Sequence, residues 1–143
     1  MAGLNEKIVI HSDMAGVELV RLFLKDIALR LDLPAEPAYH LELAVTEACL
    51  NIIRYAYAQG PGEIRIWARL DAGCLTIEIR DDGRPFDPRD VEPPDLDRYV
   101  RDGIKGGFGV HLMRSLMEGL DYRREEKQNV LSLWMTIPSA PGG

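Results

Sequence analysis

The chain has 143 residues, 46% of them apolar and 28% charged, with a net charge of −6. That is enough for one soluble domain with a real hydrophobic core. The acidic balance excludes sequence-tolerant binding of DNA or RNA, which needs a basic field. No apolar run reaches the ~18 residues that cross a bilayer, and Met1–Lys7 has no basic flank leading into an apolar stretch, so a cytoplasmic protein is expected.

Lys7–His11 reads as a short first strand. Ser12 or Asp13 can cap the helix that follows, in which Val17, Val20, Leu24, Ile27 and Leu31 recur at helical spacing. Pro34 and Pro37 mark the turn, and Pro37 suits the first turn of a second helix running to about Gln59. That helix carries two apolar stripes: Leu41, Val45, Ala48, Ile52 and Tyr55, and Leu43, Leu50, Ile53 and Tyr57. A helix apolar on most of its circumference is buried on most sides. Thr46, Glu47 and Asn51 fall in the narrow polar seam between the stripes.

Gly60-Pro61-Gly62 ends the helix, and Glu63–Leu70 then alternates with a period of two. Asp71-Ala72-Gly73 predicts a hairpin into a return strand with Leu75, Ile77 and Ile79 on one face. Residues 81–105 are rich in Pro, Asp, Arg and Gly, as in a functional lid or a disordered segment. Gly106-Gly107-Phe108-Gly109 closes this stretch and opens a third helix with Val110, Leu112, Met113, Leu116 and Met117 apolar. Strands over Gly119–Glu126 and Val130–Ile137 complete the order, before a small polar tail. The pattern predicts a two-layer α/β sandwich: one mixed, mostly antiparallel sheet with three helices on one face, in a single domain over residues 1–143.

Some residues keep plain readings. Cys49 and Cys74 form no CxxC and read as free buried thiols. His11, His40 and His111 show no zinc-ligand spacing. Trp67 and Trp134 read as sheet-face packing, Met113 and Met117 as core, and Arg123–Lys127 as a solvated strand end.

The chemistry lies in three places. Glu47 and Asn51, at i and i+4, project from one helical face inside an apolar run, where polar groups are costly unless something satisfies them. By itself the pair describes a hydrogen-bonded core pair as readily as a site. Asp81-Asp82-Gly83 by itself is an ordinary strand-ending turn. Gly107-Phe108-Gly109 at a helix N-terminus leaves backbone N–H groups free for a phosphate, or is a plain flexible loop. All three in this order are far more specific. Neither the G-x-x-x-x-G-K-[ST] phosphate loop nor the H-R-D and D-F-G motifs of eukaryotic-type kinases occur.

In that order the motifs resemble the GHKL ATPases. Glu47-Ala48-Cys49-Leu50-Asn51 is similar to their N-box, Asp81–Asp87 to their G1 box and Gly107-Phe108-Gly109 to their G2 box, so the likeness spans about residues 8–137. Thr46-Glu47-Ala48, Tyr55-Ala56-Tyr57 and the Asp-x-Gly-x-x-Phe-Asp form of G1 resemble, within that superfamily, the anti-sigma-factor serine/threonine kinases of bacterial partner-switching systems. The resemblance implies the Bergerat ATP-binding fold, with an ATP lid over about residues 83–106. It implies ATP/ADP and Mg²⁺ as cofactors, a STAS-domain antagonist as phosphoacceptor, a sigma factor or other target bound alternately, and a homodimer; the first strand and first helix are the expected contact surface.

Carried over by residue, it implies Glu47 as general base, Asn51 as Mg²⁺ ligand, and Asp81 as acceptor for the adenine amino group, with Gly83 admitting the base. Gly107, Phe108, Gly109 and Val110 would contact nucleotide, and Lys105 the terminal phosphate. The chain departs from the pattern at Pro85, where a second G1 glycine is common, and at Lys105, where an arginine is common in the kinases. It departs again at Gln128-Asn129-Val130, which replaces a Gly-Thr; Asn129 or Thr136 is expected to compensate. The rival reading is a non-catalytic, nucleotide-gated protein-binding module, which would more often have lost Glu47. A histidine-kinase fragment lacks its preceding helical pair, and gyrase-like or MutL-like ATPases need further domains.

Overall fold

The computed structural model describes residues 3–90 and 116–137. The lid beyond residue 90, Lys105, Gly107, Phe108, Gly109, Val110, the bulk of the expected third helix, Met113 and the tail lie outside the described residues. The described elements are β1 (Asn5–His11), α1 (Met14–Arg30), α2 (Ala35–Asn51), β2 (Glu63–Asp71), β3 (Cys74–Asp81), β4 (Gly119–Glu125) and β5 (Gln128–Thr136).

Local chemistry sets most of the boundaries. Asp13, not Ser12, caps α1: its carboxylate accepts from the Gly16 N–H at 2.7 Å. Ser12 instead accepts from the Gly62 N–H at 2.9 Å, tying the end of β1 to the start of β2. Pro37 sits in the first turn of α2 as expected. The end of α2 differs from expectation. After Asn51 the helix widens into a π-helical turn over Ile52–Ala56, with the Tyr57 N–H donating to the Ile52 carbonyl at 2.9 Å. Such turns concentrate at functional sites, because the extra residue re-aims the side chains around it.

The five strands form one sheet in the order β1-β2-β3-β5-β4, and every described pairing is antiparallel. The β2–β3 turn uses positive φ at Ala72 (51°) and Gly73 (79°), which fits the twist of a two-residue hairpin. The register settles the faces. Ile64, Ile66 and Ala68 oppose Asp81, Ile79 and Ile77, which in turn oppose Asn129, Leu131 and Leu133. These apolar residues join Val17, Val20, Leu24, Ile27, Leu41, Val45 and Ala48 of the helices in one core. The same register that buries the isoleucines carries Asp81 and Asn129 onto the helix-covered side at its edge.

The other sheet face is polar. Glu78, 7% exposed, is bonded to Arg69 (3.5 Å), Arg80 (3.2 Å) and Arg123 (3.5 Å). Lys7 Nζ lies 4.4 Å from the Trp67 ring centre, and the Trp134 ring packs where a Cβ on Gly119 would stand, in line with sheet-face packing. Met117 is in the core, Cys49 is buried and Cys74 is half-buried; both thiols are free.

Candidate active site

The end of α2 and the end of β3 meet at a small recess lined by Ala48, Asn51, Ile52, Asp81, Phe86, Pro88, Tyr122, Asn129 and Leu131. Asn51 and Asp81, thirty residues apart in the chain, therefore share one wall. Each is 1% exposed. Both side-chain polar atoms of Asn51 are buried without a hydrogen-bond partner. Leaving such a group unsatisfied costs about 1–3 kcal/mol. Thr46, beside it in the seam, is satisfied within the helix, donating to the carbonyls of Glu42 (2.7 Å) and Leu43 (3.1 Å). Glu47, one turn before Asn51, is half-buried and does not line the recess.

Asp81 is held by neutral donors. Its Oδ1 accepts from the Gly83 N–H at 2.9 Å and from Asn129 Nδ2 at 2.9 Å. Burial pushes its proton affinity up; the Asn129 and Gly83 bonds and the more distant Arg124 charge pull it back. Asp82 next to it has the opposite shift: its bonds to Arg65, at 3.0 and 3.1 Å, hold its carboxyl below the usual range. Burial, with Asp81 nearby, pushes the Cys49 thiol up to about 12, so it is not a reactive thiolate.

Gly83 is required by packing. A Cβ there would stand 2.5 Å from the Ala56 carbonyl oxygen, at the close of the π-helical turn. The Arg84 N–H donates to that carbonyl at 3.0 Å, and Arg84 Nε to the Tyr55 carbonyl at 2.7 Å. Tyr57 completes the junction. Its hydroxyl donates to the Glu63 carbonyl (2.6 Å) and accepts from the Asp82 N–H (2.7 Å). Phe86 stacks on Tyr55 with centroids 4.8 Å apart, and Arg89 pairs with Asp87 at 2.8 Å and reaches the Tyr122 carbonyl at 3.3 Å. The turn after β3 is thus clamped to the π-helical turn that follows α2 on one side and to β4 on the other.

The structure brings together Asn51, Asp81 and Gly83 from the sequence reading. Of the two residues expected to compensate for the missing Gly-Thr, Asn129 opposes Asp81 across β3 and β5, whereas Thr136 opposes Cys74 at the far end and donates to Glu118 at 2.9 Å. Arg123–Lys127 are all exposed, as expected of a solvated strand end, but Arg124 does more than face solvent. It points to the helix-covered side and donates to the Gly83 carbonyl (2.8 Å) and Asn129 Oδ1 (3.1 Å). Its two-residue alternation with Tyr122 and Leu120 was the available signal. Tyr122 and Pro88 of the recess wall, and Arg124 behind Asn129, were all missed, because a wall assembled from separate elements leaves no local spacing to read.

The residues fit a nucleotide with its metal. A carboxamide oxygen is a hard ligand, and Mg²⁺ bound with phosphates takes only one or two protein ligands, so it needs no cage. Among the described residues no cluster of three or more His, Cys, Asp or Glu forms such a cage. A buried carboxylate is acceptor-only and calls for a donor such as an exocyclic amine.

Comparison with known proteins agrees with this geometry. Residues 10–135 match the family described as the histidine kinase-like ATPase domain. The chain is 31% identical over 119 residues to the serine-protein kinase RsbW of Bacillus thuringiensis, covering 80% of this chain and 74% of the relative. It is 36% identical over 120 residues to the serine/threonine-protein kinase BtrW of Bordetella bronchiseptica, covering 83% of each. The solved structure of the RsbU and RsbW domains of Rv1364c from Mycobacterium tuberculosis shares the fold, with a TM-score of 0.68 at 14% identity. The match covers 94% of this chain and 32% of that longer one. The α/β sandwich and its antiparallel sheet are those of a GHKL-type ATP-binding domain, and the chain belongs to the histidine kinase-like ATPase family.

Proposed function

We propose that this protein is an ATP- and Mg²⁺-dependent protein serine/threonine kinase of a partner-switching system. It phosphorylates a serine of a STAS-domain antagonist and alternately binds a sigma factor or another regulatory target. The observation that carries the nucleotide site is Asn51: a buried carboxamide with both polar atoms unpartnered, on the wall that also presents Asp81. The kinase names of the RsbW and BtrW relatives support the phosphotransfer.

Each residue has a role in this reading. Asp81 accepts from the adenine amino group, and Gly83 keeps the turn close to α2 so that the base can approach. Asn51 holds the metal through its amide oxygen. Bound Mg²⁺ neutralises phosphate charge, which is most of what phosphoryl transfer requires. Glu47, on the preceding turn of the same helix, takes the proton from the attacking serine hydroxyl. Gly107, Phe108, Gly109 and Val110 supply backbone contacts to the nucleotide, and Lys105 reaches the terminal phosphate. Residues 1–143 act as one ATPase unit in the cytoplasm; no described helix is long and apolar enough to cross a membrane. Homodimerisation through β1 and α1 belongs to the same proposal, since β1 is a sheet edge and α1 exposes Leu19, Leu22 and Leu29.

Glu47→Gln tests the phosphotransfer. Transfer of labelled phosphate to the cognate STAS protein is expected to fall at least about a hundredfold, the usual contribution of general-base catalysis, with ATP affinity kept. Transfer at the wild-type rate rejects Glu47 as the base. A wild-type protein that forms a stable complex without any label transfer establishes the nucleotide-gated binding module instead.

A further inference from the structure

Asn129 is 3% exposed, and every hydrogen-bonding position of its carboxamide is used. Nδ2 donates to Asp81 Oδ1 at 2.9 Å and to the Arg84 carbonyl at 2.8 Å. Oδ1 accepts from the Phe86 N–H (3.2 Å), the Tyr122 hydroxyl (2.5 Å) and Arg124 Nη1 (3.1 Å). A carboxylate and a carbonyl lie on one side and three donors on the other, so only one orientation of the amide satisfies its surroundings. The side chain is therefore fixed from β3, from the turn after it and from β4 at once.

This fixes Asp81 in turn. A lone carboxylate can turn about its last bond and offer either oxygen. Here Oδ1 is taken by Gly83 N–H and by Asn129, and among the described residues no hydrogen bond reaches Oδ2. The carboxylate keeps one acceptor in reserve, at a recess walled by Phe86 and Tyr122, the groups that also hold Asn129.

We propose that Asn129 is a positioning residue for nucleotide selection: by occupying Asp81 Oδ1 it leaves Oδ2 as the acceptor that selects purines bearing a 6-amino group. The inference rests on the nucleotide reading given above. A purine with a 6-oxo group meets that acceptor with another acceptor, and a purine unsubstituted at position 6 leaves it unpaired. Without the donor from position 129 the carboxylate is free to turn, and discrimination falls although Asp81 remains.

The full-length chain is titrated with ATP, GTP and purine riboside triphosphate, each with Mg²⁺. Wild type is expected to prefer ATP to purine riboside triphosphate by about tenfold or more, the usual worth of a hydrogen bond to a charged group. Asn129→Thr and Asn129→Val are nearly isosteric and differ in a hydroxyl donor. The Thr variant is expected to keep most of the preference and the Val variant to reduce it to within about threefold, with GTP gaining on ATP. Asn129→Ser and Asn129→Ala form a second such pair if β5 does not tolerate the branched side chains, and a melting transition for each variant shows that it is folded. Equal, wild-type-like preference in the donor-bearing and donor-lacking variants overturns the role of Asn129 while leaving ATP binding intact. A wild-type chain that binds no ATP overturns the nucleotide reading itself, and this inference with it.

Discussion

β3 carries two buried carboxylates three residues apart, on opposite faces of the sheet. Glu78 faces the open side and is bonded to three guanidinium groups, of Arg69, Arg80 and Arg123. Asp81 faces the helix-covered side and is bonded to a backbone N–H and a neutral amide. The two environments solve different problems. Around Glu78 the charge is compensated within the chain, so the cluster contributes to stability and asks for no ligand. Around Asp81 neutral donors satisfy one oxygen, among the described residues no cation bonds it directly, and an acceptor remains at a recess that also holds the unpartnered Asn51 amide. Burial of an acid alone does not mark a site; burial with an unfilled hydrogen-bonding position does.

Exchanging the perturbations tests this contrast most strongly. Asp81→Asn is expected to weaken ATP binding by about a hundredfold, because half of the amide presents a donor where the adenine amine needs an acceptor. Glu78→Gln should leave ATP affinity within about twofold and cost roughly 1–2 kcal/mol of stability, since the arginines are partly exposed and lose only part of their compensation. Calorimetric titration and chemical denaturation of both variants separate the two; a Glu78 variant with the larger binding defect would sink the contrast. Asn51→Leu sharpens it in the opposite direction. Replacing an unsatisfied buried amide by an apolar side chain of similar volume should raise nucleotide-free stability by about 1 kcal/mol while removing Mg²⁺-dependent ATP binding. A destabilised, fully binding variant would show that Asn51 serves packing alone.

The smallest effect is at Asp82, where Arg65 lowers the folded-state proton affinity. The sign follows from that direction. The bond contributes stability above the unfolded carboxyl value of about 3.9, and the contribution is lost as the pH falls through the lower folded value. Asp82→Asn is therefore expected to cost no more than about 1 kcal/mol at pH 7, since the carboxylate is half-exposed, and to approach wild type below about pH 3. Denaturation midpoints across that range check it. For Asp81 the direction is reversed: burial raises its folded value, so that contribution favours the folded state at low pH and is lost as the pH rises through the raised value.

Much of the fold was legible in local pattern. Period-two alternation in Glu63–Leu70 and helical spacing from Val17 to Ile27 report which side of an element is buried, and both matched the structure to within a residue or two. The helix end was read late, at Gln59, because Tyr55 and Tyr57 continue the apolar stripes while the backbone has already widened at Ile52. Asn51 stood out as a polar residue inside an apolar helical run, Asp81 only as part of a strand-ending turn, and the order of the motifs tied them together. Asn129 drew notice only as a departure from an expected Gly-Thr. Nothing in Gln128-Asn129-Val130 shows that this amide joins five partners.

The sequence by itself therefore determined the elements, the buried face of each and the polar residues set into those faces, because periodicity and propensity act over a few neighbours. Tertiary structure decided which of those residues meet. The β3–β5 register set Asn129 opposite Asp81, the π-helical turn and Gly83 closed the gap between α2 and β3, and β4 delivered Tyr122 to the same recess and Arg124 to Asn129. Those contacts span tens of residues, and their geometry is set by packing the whole sheet at once, which no local window of the chain contains.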